Sequence, residues 1–61
     1  MDSKTIHECM QLRLPVTYDG VQYDRIAEYI SWYDSLGHHQ LSVVLIRGKS
    51  TIRVLADKIS L

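Results

Sequence analysis

The residues from Leu41 to Ala56 read LSVVLIRGKSTIRVLA, and this stretch decides the fold of the chain. If Gly48 and Lys49 form a two-residue turn, the flanking segments pair as an antiparallel hairpin, and a glycine in the first turn position suits a type II′ turn. A shift of one residue would bring Arg53 into the apolar face, so the pattern itself selects the register. The predicted hairpin has an apolar face, formed by Leu45/Ile52, Val43/Val54 and Leu41/Ala56, and a mixed face, formed by Ile46/Thr51, Val44/Arg53 and Ser42/Leu55.

The segment before the hairpin, from Arg25 to Asp34, fits two patterns. With helical spacing it has an apolar stripe, with Asp24 as a cap at its start and Gly37 just beyond its end. The stripe consists of Ile26, Ala27, Tyr29, Ile30 and Tyr33.

The same segment is also rich in the aromatic and β-branched residues that favour strands. As a strand joined to the hairpin by a short loop, it places Ile26 opposite Leu45 and Ile30 opposite Leu41, which continues the apolar face. We favour the strand, because it extends a surface that the hairpin already defines.

The first part of the chain predicts a short helix followed by an edge strand. Residues 1–11 have helical spacing with Ser3 as the N-cap, and Ile6 and Met10 would dock on the sheet. Residues 12–18 alternate as a strand, in which Pro15 indicates a sheet edge. The strand ends at the hairpin signal of residues 19–20, Asp-Gly. The apolar face of this strand matches odd-numbered residues of the next segment, whereas the segment 25–34 needs even-numbered ones. This conflict predicts a bulge near residues 23 and 24, or a long, irregular first loop.

The predicted fold is therefore mainly β, in one domain that comprises residues 1–61. Residues 1–11 form a helical or frayed segment, and residues 12–61 form an antiparallel meander of four to five strands that curls into an SH3-like open barrel. Three glycines, one in each turn, separate the strands. The last five residues predict a helical turn or a fifth strand, with Ile59 and Leu61 returning to the core.

Composition limits the classes of function. Seven basic and seven acidic side chains give zero net charge, so no overall field attracts nucleic acid or lipid. The single cysteine, Cys9, excludes an internal disulfide and fits a reducing cytoplasm. The longest apolar run, Val43 to Ile46, is far too short to span a membrane. We expect a soluble cytoplasmic protein that does not contact a membrane.

Motifs for catalysis or for metal binding are missing from the sequence. No glycine-rich phosphate loop or nucleophile elbow occurs. Consecutive strand residues point to opposite sides, so His38 and His39 would not share a metal ion, and one cysteine provides little for a zinc site. We expect no enzyme activity, no cofactor and no metal.

The mixed face of the hairpin is the best candidate for a binding site. Val44, Ile46 and Leu55 lie together on the side away from the deduced core, and apolar clusters of this kind usually contact something. Either Ile6 and Met10 cover them within the chain, or a protein partner or a second copy in a homodimer does.

Binding to nucleic acid is the alternative. The stretch 35–56 has no acidic residue, and its three cations lie at or near the hairpin tip, whereas 19–34 is acidic. Bases stack on aromatic rings while cations hold phosphates. The candidate residues for this function are Arg47, Lys49, Arg53, Trp32 and Tyr33.

Four short strings occur in order along the chain: LPVTYDG at 14–20, YDRI at 23–26, SVVL at 42–45 and ADKI at 56–59. In this order the chain resembles a group of small uncharacterised proteins from mobile and conjugative elements of Gram-positive bacteria. The resemblance implies a bacterial cytoplasmic accessory protein. It implies no activity, cofactor or site residue.

Overall fold

The computed structural model describes all 61 residues. The elements are α1 (Ser3–Leu12), β1 (Val16–Tyr18), β2 (Val21–Tyr23), β3 (Arg25–Tyr33), β4 (His39–Arg47), β5 (Ser50–Leu55), a 3-10 turn (Ala56–Lys58) and β6 (Ile59–Ser60). The strands form two three-stranded antiparallel sheets, with strand orders β2-β1-β6 and β3-β4-β5.

The β4–β5 hairpin forms in the predicted register, from Arg47 opposite Ser50 to Ser42 opposite Leu55. Gly48 has a φ of +59°, as the first position of a type II′ turn requires. The final predicted pair, Leu41 with Ala56, does not form, because the 3-10 turn begins at Ala56.

One face of the hairpin lies in the core, as predicted. Val43 and Leu45 have no exposed surface, and Val54 is buried beside them. Ile52, nearest to the turn, extends past the core and is 37% exposed.

The segment Arg25–Tyr33 is a strand, so the preferred interpretation is confirmed. Ile26 lies opposite Leu45 as predicted, but Ile30 lies opposite Ser42 and not opposite Leu41. The cause is a β-bulge at Ala27. This residue has no partner on β4, because Ile26 pairs with Leu45 and Glu28 pairs with the next residue, Val44. Beyond the bulge every side chain of β3 is on the opposite face from the one predicted.

The sequence predicts a bulge near Tyr23 and Asp24 to change which face of the chain is buried. The structure has a different irregularity. The strand is interrupted at Asp24, which separates β2 from β3, and the bulge follows at Ala27. The Asp24 amide still donates to the carbonyl of Ile46 at 2.7 Å, so the chain stays attached to β4 across the break.

The first hairpin has the predicted Asp19-Gly20 turn, with both residues at positive φ. Its first strand is shorter than predicted and begins at Val16. Leu12 belongs to the helix and Leu14 to the connection after it, and both side chains are exposed.

The N-terminal helix is capped by Asp2 and not by Ser3, because the Asp2 carboxylate accepts the Thr5 amide at 2.7 Å. Ile6 and Cys9 are buried in the core, and Met10 packs against it. The helix is therefore an integral part of the core.

The C-terminal residues form both of the predicted elements, a 3-10 turn and then a short strand. β6 pairs with β1, where Ile59 lies opposite Tyr18, and Ile59 is buried. Leu61 was predicted to return to the core, but it lies beyond the strand and is 72% exposed.

No helix in the structure has the length and apolar character needed to cross a membrane.

The core is shared by the helix and both sheets, and the sheets do not join into a single curled meander. The buried apolar residues are Ile6, Cys9, Val16, Ile26, Val43, Leu45, Val54, Ala56 and Ile59.

Candidate interaction surface on the outer sheet face

The face of the β3-β4-β5 sheet that points away from the core, here called the outer face, follows directly from the register. Residues that pair across strands share a face, and alternate rows point to the same side. Three full rows build the outer face: Ile30–Ser42–Leu55, Glu28–Val44–Arg53 and Arg25–Ile46–Thr51.

The predicted site residues lie together on this face. Val44 and Ile46 are half-buried neighbours on the central strand, and Leu55 is 39% exposed on β5. None of the three belongs to the core cluster. They form an apolar strip at the centre and along one side of the outer face.

The N-terminal helix does not cover this strip, so the first of the two alternatives, cover by Ile6 and Met10, is wrong. The helix reaches β3 through Tyr29, whose hydroxyl donates to Ser3 Oγ at 3.2 Å. Tyr29 is paired with Val43 on the core side of the sheet. The helix therefore packs on the opposite face.

Trp32 adds an arrangement to the outer face that the sequence pattern missed. Its indole Nε1 donates to Ser42 Oγ at 2.8 Å, and the Arg53 guanidinium lies 5.6 Å from the ring centroid. Ser42 is only 2% exposed, although its side chain points away from the core. The Trp32 ring therefore lies over the central strand and extends the apolar strip.

Two charged residues flank Val44. Glu28 and Arg53 occupy the same row on either side of β4, about 10 Å apart by strand spacing. Neither takes part in an ion pair, since the one pair in the structure joins His38 and Asp34. The outer face thus presents Glu28 on the β3 edge and Arg53 on the β5 edge, and Arg25 lies in the next row on the β3 edge.

The regular strand pattern could not show that Ile30, Trp32 and Glu28 join this surface. A regular strand groups Ile30 and Trp32 with Ile26 on the core side. Only the parity conflict between the first hairpin and β3 signalled an irregularity, and it did not show where the extra residue lies.

The basic tip of the hairpin contains an acid from elsewhere in the chain. Arg47 and Lys49 are exposed there. The Asp24 carboxylate accepts the backbone amide of Gly48 at 2.8 Å. The turn amide therefore already has an anionic partner, and the local positive charge is reduced by one.

The aromatic residues of the nucleic-acid alternative do not gather at this tip. Trp32 pairs with Gln40, seven residues along β4 from Arg47, which corresponds to about 23 Å. Tyr33 follows Trp32 and points to the other face. Of the three candidate cations, Arg53 is the one that stacks on an aromatic ring, that of Trp32.

The loop between β3 and β4 is organised by the Asp34 carboxylate. It accepts the amides of Leu36 and His38, both at 2.9 Å, and the side-chain amide of Gln40 at 3.1 Å. The hydrogen bond from the His38 amide, with the others, holds the pKa of Asp34 below its usual range.

The two adjacent histidines bind different partners. His38 Nδ1 lies 3.9 Å from Asp34, whereas the His39 ring is hydrogen-bonded to Ser31 Oγ. No three histidine, cysteine or acidic side chains converge anywhere in the structure. His38 thus contacts the loop carboxylate, whereas His39, the first residue of β4, contacts β3.

The chain was compared with models of known protein families, with curated proteins and with solved structures, and none of them matches it.

Proposed function

We propose that this protein is a non-enzymatic interaction module, an accessory protein that binds a protein partner through the outer face. The observation that carries the proposal is the apolar strip of Val44, Ile46 and Leu55, which lies on the sheet face opposite the helix. A sheet in a domain this small normally has one packed face and one polar face. Apolar side chains on the second face indicate a contact.

The residue types beside the strip support the same function. Tryptophan and arginine are enriched among the residues that dominate binding energy at protein interfaces. Trp32 and Arg53 contact each other on this face, and Trp32 is held in place by its hydrogen bond to Ser42. A partner would meet a preformed surface and would order few side chains on binding.

The order of the elements supports an SH3-like open barrel as the architecture of this module. A hairpin is followed by a three-stranded meander, and a 3-10 turn then leads the last strand back to the first. The mobile-element resemblance fits an accessory role in a Gram-positive bacterium.

Site-specific photo-crosslinking tests the interaction. Thr51 is exposed on the outer face in the row of Ile46, so a benzophenone amino acid there probes the face without removing its apolar groups. We expect covalent adducts in cells that express this variant. A matched probe at Lys4, exposed on the helix, should give none.

The substitution Val44→Asp, made in the Thr51 probe variant, should abolish the adducts, because it places a charge in the centre of the strip. The fold should persist, since Val44 points away from the core; circular dichroism checks this. Absence of adducts from the Thr51 probe, or equal adducts from Lys4, would contradict the proposal.

Binding to nucleic acid is the second candidate, and the contact between Arg53 and Trp32 is the observation that favours it. Fluorescence anisotropy with single-stranded and duplex oligonucleotides tests it. If three cations neutralise phosphates of a single strand, affinity should fall about 20-fold between about 50 and 200 mM salt. No binding at low salt would eliminate this candidate.

A further inference from the structure

We propose that the partner of the outer face is a second copy of this chain, joined in a two-fold symmetric dimer. The inference rests on the proposed function of the outer face and specifies its partner. It is carried by the row Glu28–Val44–Arg53, in which an acid and a base lie on opposite sides of an apolar residue on the central strand.

In the proposed dimer the outer faces of two copies face each other, and the two-fold axis lies between them, parallel to β4. The β3 side of one copy then lies over the β5 side of the other. Glu28 faces Arg53 of the partner subunit, and symmetry repeats the contact, so that each dimer has two ion pairs. Within one chain these two charges are separated by β4 and do not pair.

The apolar residues match under the same operation. Val44 and Ile46 lie on β4 beneath the axis, so each meets its own copy. Ile30, on the β3 edge, faces Leu55 of the partner subunit in the next row. The same two-fold rotation therefore places the second copy over the apolar strip and pairs the charged residues beside it.

The other two-fold axis in this plane, perpendicular to the strands, gives the opposite result. It leaves β3 over β3. Where this axis crosses the row of Val44, it places Glu28 on Glu28 and Arg53 on Arg53, which is repulsive. Where it crosses half-way to the row of Ile46, Glu28 faces Arg25 of the partner subunit, but Arg53 has no acidic partner. Facing sheets pack with their strands at about 30°, so the favoured axis lies within about 15° of β4. Of these arrangements, only the one with the axis along β4 gives Arg53 an acidic partner, so the effect of Arg53→Glu distinguishes them.

Two charge reversals and their mixture test the dimer. Glu28→Arg should weaken self-association at least about tenfold, because two attractive pairs become two repulsive ones. Arg53→Glu should do the same. A one-to-one mixture of the two variants should form a heterodimer, because both contacts again join opposite charges. Sedimentation velocity over a concentration series measures all three.

The matched controls are Glu8→Arg and Lys4→Glu, which make the same charge changes at exposed helix positions; both should dimerise like the unmodified chain. Recovery in the mixture also shows that both outer-face variants are folded. A monomeric unmodified protein, a dimer that resists both reversals, or a mixture that stays monomeric would overturn the inference. If the Thr51 probe then captures only a different protein, the interaction function stands while the second copy is rejected.

Discussion

Trp32 and Ser42 form a hydrogen bond on the outer face, from indole Nε1 to Oγ at 2.8 Å. It joins a half-buried aromatic ring to one of the least exposed polar side chains in the protein. Because Ser42 is removed from water, its hydroxyl depends on this partner.

Replacing Trp32 by phenylalanine should therefore destabilise the fold by about 1 to 3 kcal/mol, since it leaves the Ser42 hydroxyl buried without a partner. The double variant Trp32→Phe/Ser42→Ala should be more stable than the sum of the two single changes implies. Urea unfolding followed by circular dichroism measures this coupling. Strictly additive effects would show that the hydrogen bond contributes nothing.

Asp24 holds the hairpin tip, so Asp24→Ala should loosen it. The Gly48 amide loses its acceptor, and its protection from hydrogen exchange should fall about tenfold, as expected for a bond to a charged group. Asp24→Asn retains an acceptor oxygen and should lose less. Unchanged exchange in the alanine variant would contradict the contact.

Cys9 should be unreactive in the folded protein. The side chain is 1% exposed, and burial, with a smaller effect from Glu8, raises the pKa of its thiol. Labelling by a thiol reagent should therefore proceed only as fast as the chain opens, and should accelerate with urea. Fast labelling under native conditions would show that the helix is not docked.

Asp34 should contribute stability that depends on pH. Its folded-state pKa lies below the ordinary value of 3.8, chiefly because the His38 amide bonds to the carboxylate. The contribution is therefore complete above that value and is lost as pH falls through the lower folded pKa. An NMR titration should show the Leu36 and His38 amides shifting with the Asp34 carboxyl. Midpoints at or above 3.8 would contradict this.

The β4–β5 pairs from Arg47–Ser50 to Ser42–Leu55 could be predicted because a slip would bury Arg53, which makes every other register costly. The two turns at Gly20 and Gly48 could be predicted because their backbone conformations select glycine. These are local signals. They act between residues that are close in sequence.

The far half of β3 could not be predicted in the same way. Both of its faces contain aromatic or aliphatic residues, so alternation alone does not say which face is buried. Tyr29 lies on the core side because its ring and hydroxyl meet His7 and Ser3 of the helix. That choice depends on a contact between segments distant in the sequence.

The surplus residue at Ala27 gives this small protein an unusual genetic tolerance. Deletion of that one codon would leave Ile26 and Glu28 opposite their present partners on β4 and make the strand regular. Trp32 would stay on the outer face, and Tyr29 would stay against the helix. A loss of three nucleotides would thus remove the irregularity and preserve the candidate contact surface.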